Sequence, residues 1–230
     1  MDEERDYYDA YADWYEDHRH GGYHELIDDL ESDLLRRYVL ERDVLEVGCG
    51  TGLILQRIAP LAARTIGLDV SLGMLERVRG DARELPFDEG AFDVVCSFKM
   101  LAHLPNVGQA VDEMVRVTRP GGHLLLEFYN PWSMRYLVRR GLGARRVVED
   151  DARQTPYTRW DPPSDVRRRL PASVDLIDFA GIRVVTPGAF VHKIPWVRHW
   201  VRKLEFLARD NTALKYFGGF LVAICRKRDR

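Results

Sequence analysis

A glycine turn between an apolar strand-like run and an apolar helix-like run constrains the fold most. The run VLEVG at 44–48 leads into Cys49-Gly50-Thr51-Gly52 and then directly into LILQRIAPLA. Glycines lack the Cβ atoms that would obstruct a ligand lying across the strand end, and their backbone N–H groups point toward that ligand. The pattern therefore predicts a strand, a turn and a helix that open a ligand-binding α/β unit.

The spacing of the glycines separates two classes of cofactor. Dinucleotide-binding turns follow G-x-G-x-x-G, in which the last glycine lets the helix pack on the strand beside a pyrophosphate. In this chain the spacing is G-x-G-x-G over Gly48, Gly50 and Gly52, and Leu53 occupies the position of the third glycine. The turn therefore disfavours NAD and favours a smaller nucleoside ligand.

Further β-rich runs alternate with helical stretches along the chain. They cover residues 64–70, 92–98, 122–129, 180–186 and 218–227, and a basic helical stretch at 196–210 separates the last two. Apolar runs that barely alternate indicate strands covered on both faces, and βαβα order implies a mostly parallel α/β sheet. The order of the last two strands favours a hairpin-like closing edge.

Length and composition predict one domain over 1–230. Apolar residues make up 46% and charged residues 30%, which is typical of a globular protein. We divide the domain into N-terminal cap helices (1–40), a cofactor-binding core (41–131), a lid or insertion (132–178), and C-terminal strands with a helix (179–230).

The charge balance and the cysteines bear on partners and location. Lys and Arg total 34 against 36 Asp and Glu, so no overall field favours nucleic acid or anionic membranes. No apolar run approaches the roughly 18 residues of a membrane span. The three cysteines are odd in number, and the N-terminus lacks a secretion signal. We expect a cytoplasmic protein with no metal site, because no ligand spacing indicates one.

Acidic residues follow the glycine turn at informative distances. Asp69 ends the second predicted strand, where a carboxylate can accept hydrogen bonds from both hydroxyls of a ribose. A third acidic position, Asp81, precedes Ala82 and the run LPF. The alternative for Asp69 is a capping role for a helix that begins near Ser71, and the alternative for Asp81 is a solvated loop.

With these motifs the sequence resembles the class I S-adenosylmethionine-dependent methyltransferases, especially the small-molecule branch that includes ubiquinone- and menaquinone-type enzymes. The resemblance covers roughly residues 8–130 and comprises VLEVGCGTG, GLDVSLGML, GDARELPFDEGAFDVV, LAHLPN and RVTRPGGHLLLE in order. It implies a Rossmann-like, doubly wound sheet of seven mostly parallel strands with an antiparallel last strand. It also implies S-adenosylmethionine as cofactor and S-adenosylhomocysteine as product.

The resemblance assigns roles to particular positions. It implies that Glu46, Gly48, Cys49, Gly50 and Gly52 shape the pocket for the methionine part. It implies ribose binding by Asp69 and adenine contacts from Val70, Met74, Asp81 and Ala82. Ser97 and Lys99 would line the cofactor, and Tyr8, Tyr15 and Arg19 of the cap helix would reach its carboxylate. The alternative for the N-terminal aromatic residues is plain core packing.

His103, in LAHLP, is the candidate catalytic residue. It would act as a general base toward an acceptor hydroxyl, although a structural role is the alternative. The strings Asn130-Pro-Trp and Asp161-Pro-Pro-Ser resemble a nucleic-acid amino-methylation signature, but their positions favour turn chemistry.

Methyl transfer from a sulfonium is an in-line displacement that depends mainly on positioning. We predict transfer to a small-molecule acceptor, and the many aromatic residues of 129–165 and 187–217 favour a flat or apolar one. The alternatives are a non-catalytic S-adenosylmethionine-binding module, an RNA or DNA methyltransferase, and a nicotinamide-dependent oxidoreductase. We expect a monomer or a homodimer.

Overall fold

A mixed sheet forms the centre of the molecule. The computed structural model describes residues 22–70, 80–133, 136, 157–186, 188, 191 and 194–229. Within them the strands are Asp43–Val47 (β1), Arg64–Leu68 (β2), Phe92–Ser97 (β3), Thr118–Tyr129 (β4), Val174–Ile182 (β5) and Phe220–Lys227 (β6). Their order is β2-β1-β3-β4-β6-β5.

Strands β2, β1, β3 and β4 are parallel, whereas β6 is antiparallel to both of its neighbours. The chain passes from β1 to β2 on one side and then crosses to β3 on the other. Ligands of open α/β sheets bind at such a switch point, beyond the carboxyl ends of the strands. The topology therefore directs attention to the residues that follow β1 and β3.

Helices cover the two faces of the sheet. The described α-helices are Tyr23–Arg36 (α1), Leu53–Ile58 (α2), Val107–Val117 (α3), Pro163–Arg169 (α4) and Pro195–Arg209 (α5), and 3₁₀ turns cover Leu101–His103 and Leu214–Phe217. Alternate residues of β1 enter different core clusters, because successive side chains of a strand point to opposite faces. Leu45 packs with α3 and α4, and Val44 packs with α1 and α2.

Helix α1 illustrates why these segments fold as they do. Its apolar residues recur at three- and four-residue spacing, and Leu26, Leu30 and Leu34 are buried against the sheet. The amphipathic segment predicted from His24 to Leu40 is thus a helix that ends at Arg36. No α-helix in the described parts of the chain is long and apolar enough to cross a membrane.

The predicted mostly parallel sheet and its antiparallel last strand are confirmed. The described residues contain six strands, so the seventh stays a prediction, as do the N-terminal helix at 2–20 and the lid. The fifth strand was predicted at 180–186 but spans Val174–Ile182. Its first half carries polar and half-exposed residues, since β5 is an edge strand. The predicted lid boundary at residue 178 thus falls inside this strand.

Candidate functional site

The glycine turn after β1 adopts a backbone that other residues rarely adopt. Gly48, Gly50 and Gly52 have φ of 77°, 53° and 79°. A Cβ on Gly48 would lie 2.5 Å from the side chain of Met100, whereas a Cβ on Gly52 would meet nothing within 4 Å. The turn is therefore closed on the side of Met100 and open at Gly52, where α2 begins.

Asp69 connects the turn to the next strand. Its Oδ2 accepts a hydrogen bond of 2.9 Å from the backbone N–H of Gly50. Its backbone carbonyl accepts one of 3.0 Å from Gly80 N–H. The glycine turn, the predicted ribose carboxylate and the segment that carries Asp81 therefore lie together at the carboxyl edge of the sheet.

Gly67 is a packing position beside the glycine turn that was not predicted from the sequence. A Cβ at this residue of β2 would lie 2.6 Å from Cys49 Sγ and 2.7 Å from Leu55 Cδ1. Only glycine lets the turn and α2 pack this closely on the neighbouring strand. A glycine inside a β-branched strand run was the available signal.

Of the residues predicted to contact adenine, Val70, Asp81 and Ala82 lie in the described part of the chain. Asp81 accepts hydrogen bonds from the backbone and the guanidinium of Arg83, and the side-chain bond is the main cause that lowers the pKa of the Asp81 carboxyl. Ala82 packs against the core, and Val70 is more than one-third exposed. Adenine binding by these residues stays a prediction.

Two polar residues predicted to meet the cofactor are buried at strand ends. Glu46 and Ser97 are almost completely inaccessible. Ser97 Oγ has no hydrogen-bond partner among the residues described, and the same holds for Thr51 Oγ1 in the turn. Burial, with Glu46 nearby, raises the pKa of the Cys96 thiol well above its usual value, so this cysteine stays protonated.

Lys99 contacts α1 by its side chain. Its Nζ lies 3.0 Å from Asp28 Oδ1 and 2.7 Å from Glu31 Oε2, and both carboxylates are buried. Its backbone N–H donates to Glu127 Oε1 at 3.0 Å, and its φ of 61° is in the left-handed region. We call Asp28, Glu31, Lys99 and Glu127 the buried ionic cluster. It joins α1, β4 and the segment after β3, and a cofactor contact by Lys99 stays a prediction.

His103 has both ring nitrogens engaged. Its Nδ1 lies 2.9 Å from the backbone carbonyl of Tyr157, which can only accept, so Nδ1 carries the proton. Its Nε2 then presents a lone pair, 3.4 Å from the hydroxyl of Tyr129. Burial raises the pKa of Tyr129 above its usual range. The pair thus combines a proton acceptor with a neutral phenol.

The segment 157–161 covers this histidine. Arg159 N–H donates to the carbonyl of Ala102, and its guanidinium donates to the carbonyls of Leu101 and Leu104. Asp161 N–H donates to the carbonyl of Tyr129 at 2.9 Å. This part of the predicted lid is therefore held against the candidate catalytic residue.

The two strings that resemble a nucleic-acid signature have structural partners. The Asn130 side-chain amide donates to the carbonyls of Tyr216 and Gly218 and accepts from Trp132 N–H. The buried Asp161 carboxylate binds the guanidinium groups of Arg159 and Arg169. The expected turn chemistry accounts for both residues.

Four predicted cofactor residues, Tyr8, Tyr15, Arg19 and Met74, lie outside the described residues.

A cavity of about 330 Å³, lined by Asp112, Arg116 and Lys227 among others, lies near the amino end of β5. It is remote from the switch point, so we place the site at the carboxyl edge on topology and hydrogen bonding.

Comparison with known proteins decides the family. Residues 45–126 match the model of the methyltransferase domain. A demethylmenaquinone methyltransferase of Renibacterium salmoninarum is 37% identical over 200 residues, which cover 80% of this chain and 73% of that protein. The chain belongs to the class I S-adenosylmethionine-dependent methyltransferases.

One more curated relative and one solved structure are also similar to this chain. A probable S-adenosylmethionine-dependent methyltransferase of Mycolicibacterium smegmatis is 40% identical over 99 residues, or 39% of this methyltransferase and 38% of that protein. The chain thus spans less than two thirds of the length of that relative. A Haloferax volcanii structure, described as a complex between the Trm112 methyltransferase activator and the putative methyltransferase, has a TM-score of 0.65 at 20% identity. It covers 98% of each chain and shows the same fold.

The carboxyl edge of this methyltransferase fits the cofactor that its family implies. The space beyond Gly52 is open, and the hydroxyls of Thr51 and Ser97 are buried without protein partners among the residues described. Asp69 lies one strand away with a carboxylate already oriented by Gly50. These residues provide acceptors and donors suited to a nucleoside with an amino-acid tail.

Proposed function

We propose that this methyltransferase transfers a methyl group from S-adenosylmethionine to a small, apolar acceptor that carries a ring hydroxyl, as a reduced quinone does. The observation that carries the proposal is the left-handed glycine turn held to Asp69 by the bond between Gly50 N–H and Oδ2. The name of the Renibacterium relative supports the quinone class.

The residues of the chain divide the work of the reaction between them. Bound S-adenosylmethionine supplies an electrophilic methyl group on a positively charged sulfur. Asp69 binds the ribose hydroxyls, and Gly48, Gly50 and Gly52 let the backbone approach the methionine part. Holding the methyl group and the acceptor in line contributes several kcal/mol, about 7 to 11 in favourable cases.

His103 acts on the acceptor. Its Nε2 lone pair faces Tyr129 across a long contact of 3.4 Å, which an acceptor hydroxyl replaces on binding. Nε2 would take the proton of the acceptor hydroxyl, and the carbonyl of Tyr157 would stabilise the imidazolium through Nδ1–H. The bound cofactor would supply the methyl group, with its methyl–sulfur bond broken and S-adenosylhomocysteine released as the neutral leaving group.

Aromatic side chains form the wall beside this histidine. Tyr129 contacts the rings of His103, Trp160 and Phe220 at centroid distances of 5.0 to 5.5 Å. Trp160 also contacts Tyr136 at 4.9 Å. Such a wall favours a flat ring over a charged polymer, which is why we propose a small aromatic acceptor.

Calorimetric titration with S-adenosylhomocysteine tests the cofactor half without knowledge of the acceptor. We expect micromolar binding with one site per chain. A radiolabelled methyl-transfer assay with reduced naphthoquinones and benzoquinones then tests the acceptor half. No binding of S-adenosylhomocysteine overturns the proposal, and binding without transfer to any quinol overturns the acceptor class.

A further inference from the structure

Arg159 binds the short 3₁₀ turn that carries His103. Its backbone N–H donates to the carbonyl of Ala102 at 2.8 Å. Its guanidinium donates to the carbonyl of Leu104 at 2.7 Å and to that of Leu101 at 3.1 Å. These acceptors lie before and after His103 in the chain, so one arginine holds the turn on both sides of the histidine.

The guanidinium of Arg159 is itself fixed by Asp161. Its Nε donates to Asp161 Oδ2 at 2.6 Å, and the other carboxylate oxygen accepts from Arg169 of α4 at 3.1 Å. The side chains of Arg159 and Asp161 are only 12% and 2% exposed. A charge-assisted hydrogen bond with so little access to water keeps one geometry, because breaking it would leave a desolvated charge. Arg159 is therefore a rigid connection between α4 and the turn of His103.

The carbonyl that contacts His103 Nδ1 belongs to Tyr157, two residues before Arg159. It lies 2.9 Å from Nδ1, and Thr158 Oγ1 makes a longer contact of 3.5 Å with the same nitrogen. The hydrogen-bond partners of an imidazole set which of its two nitrogens is protonated. Because a carbonyl can only accept, its place beside Nδ1 leaves the lone pair on Nε2. The position of the proton therefore depends on how firmly residues 157–161 are held to the turn.

We propose that Arg159 is a positioning residue for His103. By joining residues 157–161 to the turn, it holds the carbonyl of Tyr157 beside Nδ1 and keeps Nε2 free of a proton. Its guanidinium binds two backbone carbonyls and a buried carboxylate, so it acts through His103 and not on the acceptor. The inference rests on the proposed role of His103 as base, but the position of the proton is a property of the protein alone.

Long-range ¹H–¹⁵N spectroscopy of the histidine side chains tests the proposal without cofactor or acceptor. The protonated and unprotonated nitrogens of a neutral imidazole have different ¹⁵N chemical shifts, so spectra at about pH 8.5 report where the proton lies. His103→Asn identifies the His103 signals among the seven histidines of the chain. We expect the Nδ1–H form in the wild type and a shift toward the Nε2–H form in Arg159→Gln.

Steady-state kinetics with a quinol acceptor gives the second readout. Arg159→Gln should lower kcat about 10- to 100-fold, as small displacements of a reacting group do. The dissociation constant of S-adenosylhomocysteine should stay at the wild-type value, because the contacts of Arg159 are to the turn of His103 and to Asp161. A purely structural role would not separate kcat from cofactor binding in this way.

Arg119→Gln is the matched control. The Arg119 guanidinium also donates to two backbone carbonyls, those of Gly90 and Ala91, and also pairs with a carboxylate, that of Asp93 near the amino end of β3. The substitution removes the same kinds of bonds at the opposite edge of the sheet from His103. It should therefore leave both the His103 signals and kcat unchanged.

Two spectral results would overturn the proposal: the Nε2–H form of His103 in the wild type, or the wild-type Nδ1–H form retained in Arg159→Gln. Thermal unfolding verifies that each variant is folded. If Arg159→Gln is not, Arg159→Lys decides in its place, because it keeps a charge beside Asp161 but cannot bind both carbonyls with a single ammonium. Absence of methyl transfer by the wild type to any quinol would contradict the proposed function, whereas the spectral comparison does not depend on it.

Discussion

At the scale of single residues, Asp69 is the most informative position because it has a bond to the turn and a proposed bond to the ligand. Its Oδ2 accepts from Gly50 N–H. Asp69→Ala should weaken S-adenosylhomocysteine binding about 10- to 150-fold, since a hydrogen bond to a charged group contributes about 1.5 to 3 kcal/mol. Calorimetric titration measures the loss.

The matched control for this prediction is Asp175→Ala, at a surface carboxylate that pairs with Arg228 near the amino end of β5. It should leave the affinity unchanged. Equal affinities for wild type and Asp69→Ala would show that Asp69 only shapes the turn.

His103 belongs to the same scale. His103→Ala should lower kcat for a phenolic acceptor about 100-fold or more, the usual contribution of a general base, with the dissociation constant of S-adenosylhomocysteine unchanged. Steady-state kinetics and titration together check this. Tyr129→Phe keeps the ring wall and removes only the hydroxyl near Nε2, so its kcat should stay much closer to wild type. A full kcat in His103→Ala would refute the role of base.

At the scale of elements, the buried ionic cluster joins α1 to β4 and to the segment after β3. Lys99 bridges Asp28 and Glu31, and its backbone is held by Glu127. Breaking one partner of a buried ion pair costs about 3 to 5 kcal/mol, because the remaining charge stays desolvated. The cluster therefore fixes the register between α1 and the segment that leads to His103.

Glu127 makes this cluster sensitive to pH. Burial, followed by the charge of Glu31, raises the pKa of its carboxyl well above the usual value. The unfolded chain loses this proton near pH 4.3, whereas the folded chain keeps it to higher pH. The free energy of unfolding therefore falls as pH rises between the two pKa values, and the stabilising contribution is complete only below that window.

Glu127→Gln has no carboxyl to ionise, so it removes the fall in unfolding free energy at high pH. It keeps a carbonyl oxygen that can accept from Lys99 N–H. We expect the variant to exceed wild type in unfolding free energy by about 1 kcal/mol or more at pH 8, with little difference at pH 4. Urea unfolding at both values measures it, with the exposed Glu84→Gln as control. If the unfolding free energies of wild type and Glu127→Gln changed in parallel with pH, the raised pKa of Glu127 would be contradicted.

At the scale of the whole molecule, ligand binding should appear as added stability of the folded protein. S-adenosylhomocysteine at 100 times its dissociation constant adds about 2.7 kcal/mol, which raises Tm by about 5 to 10 °C for a chain of this size. NAD at the same concentration should leave Tm unchanged. Thermal shift measures both, and stabilisation by NAD alone would contradict the family's cofactor.

The sequence alone determined the parts of the protein that depend on local geometry. The turn requires a left-handed backbone at Gly48, Gly50 and Gly52, and this requirement is local, so the sequence was enough to predict the turn. Apolar runs indicate buried strands, so the parallel core was predictable as well. Asp69 was predicted to end the second strand, and the parallel pairing of β1 with β2 brings it beside the turn. The predicted start of β5 was wrong because an edge strand needs fewer apolar residues.

Only the tertiary structure decided which distant groups meet. Lys99 turns to α1 because Asp28 and Glu31, 68 and more residues away, are desolvated there and need a counter-charge. The carbonyl of Tyr157 fixes the proton on His103 because the 157–161 segment folds back over it. The exposure of Trp196, Trp200 and Leu207 on α5 could not be predicted from periodicity, since helical spacing shows that a face is apolar but not which face the fold buries.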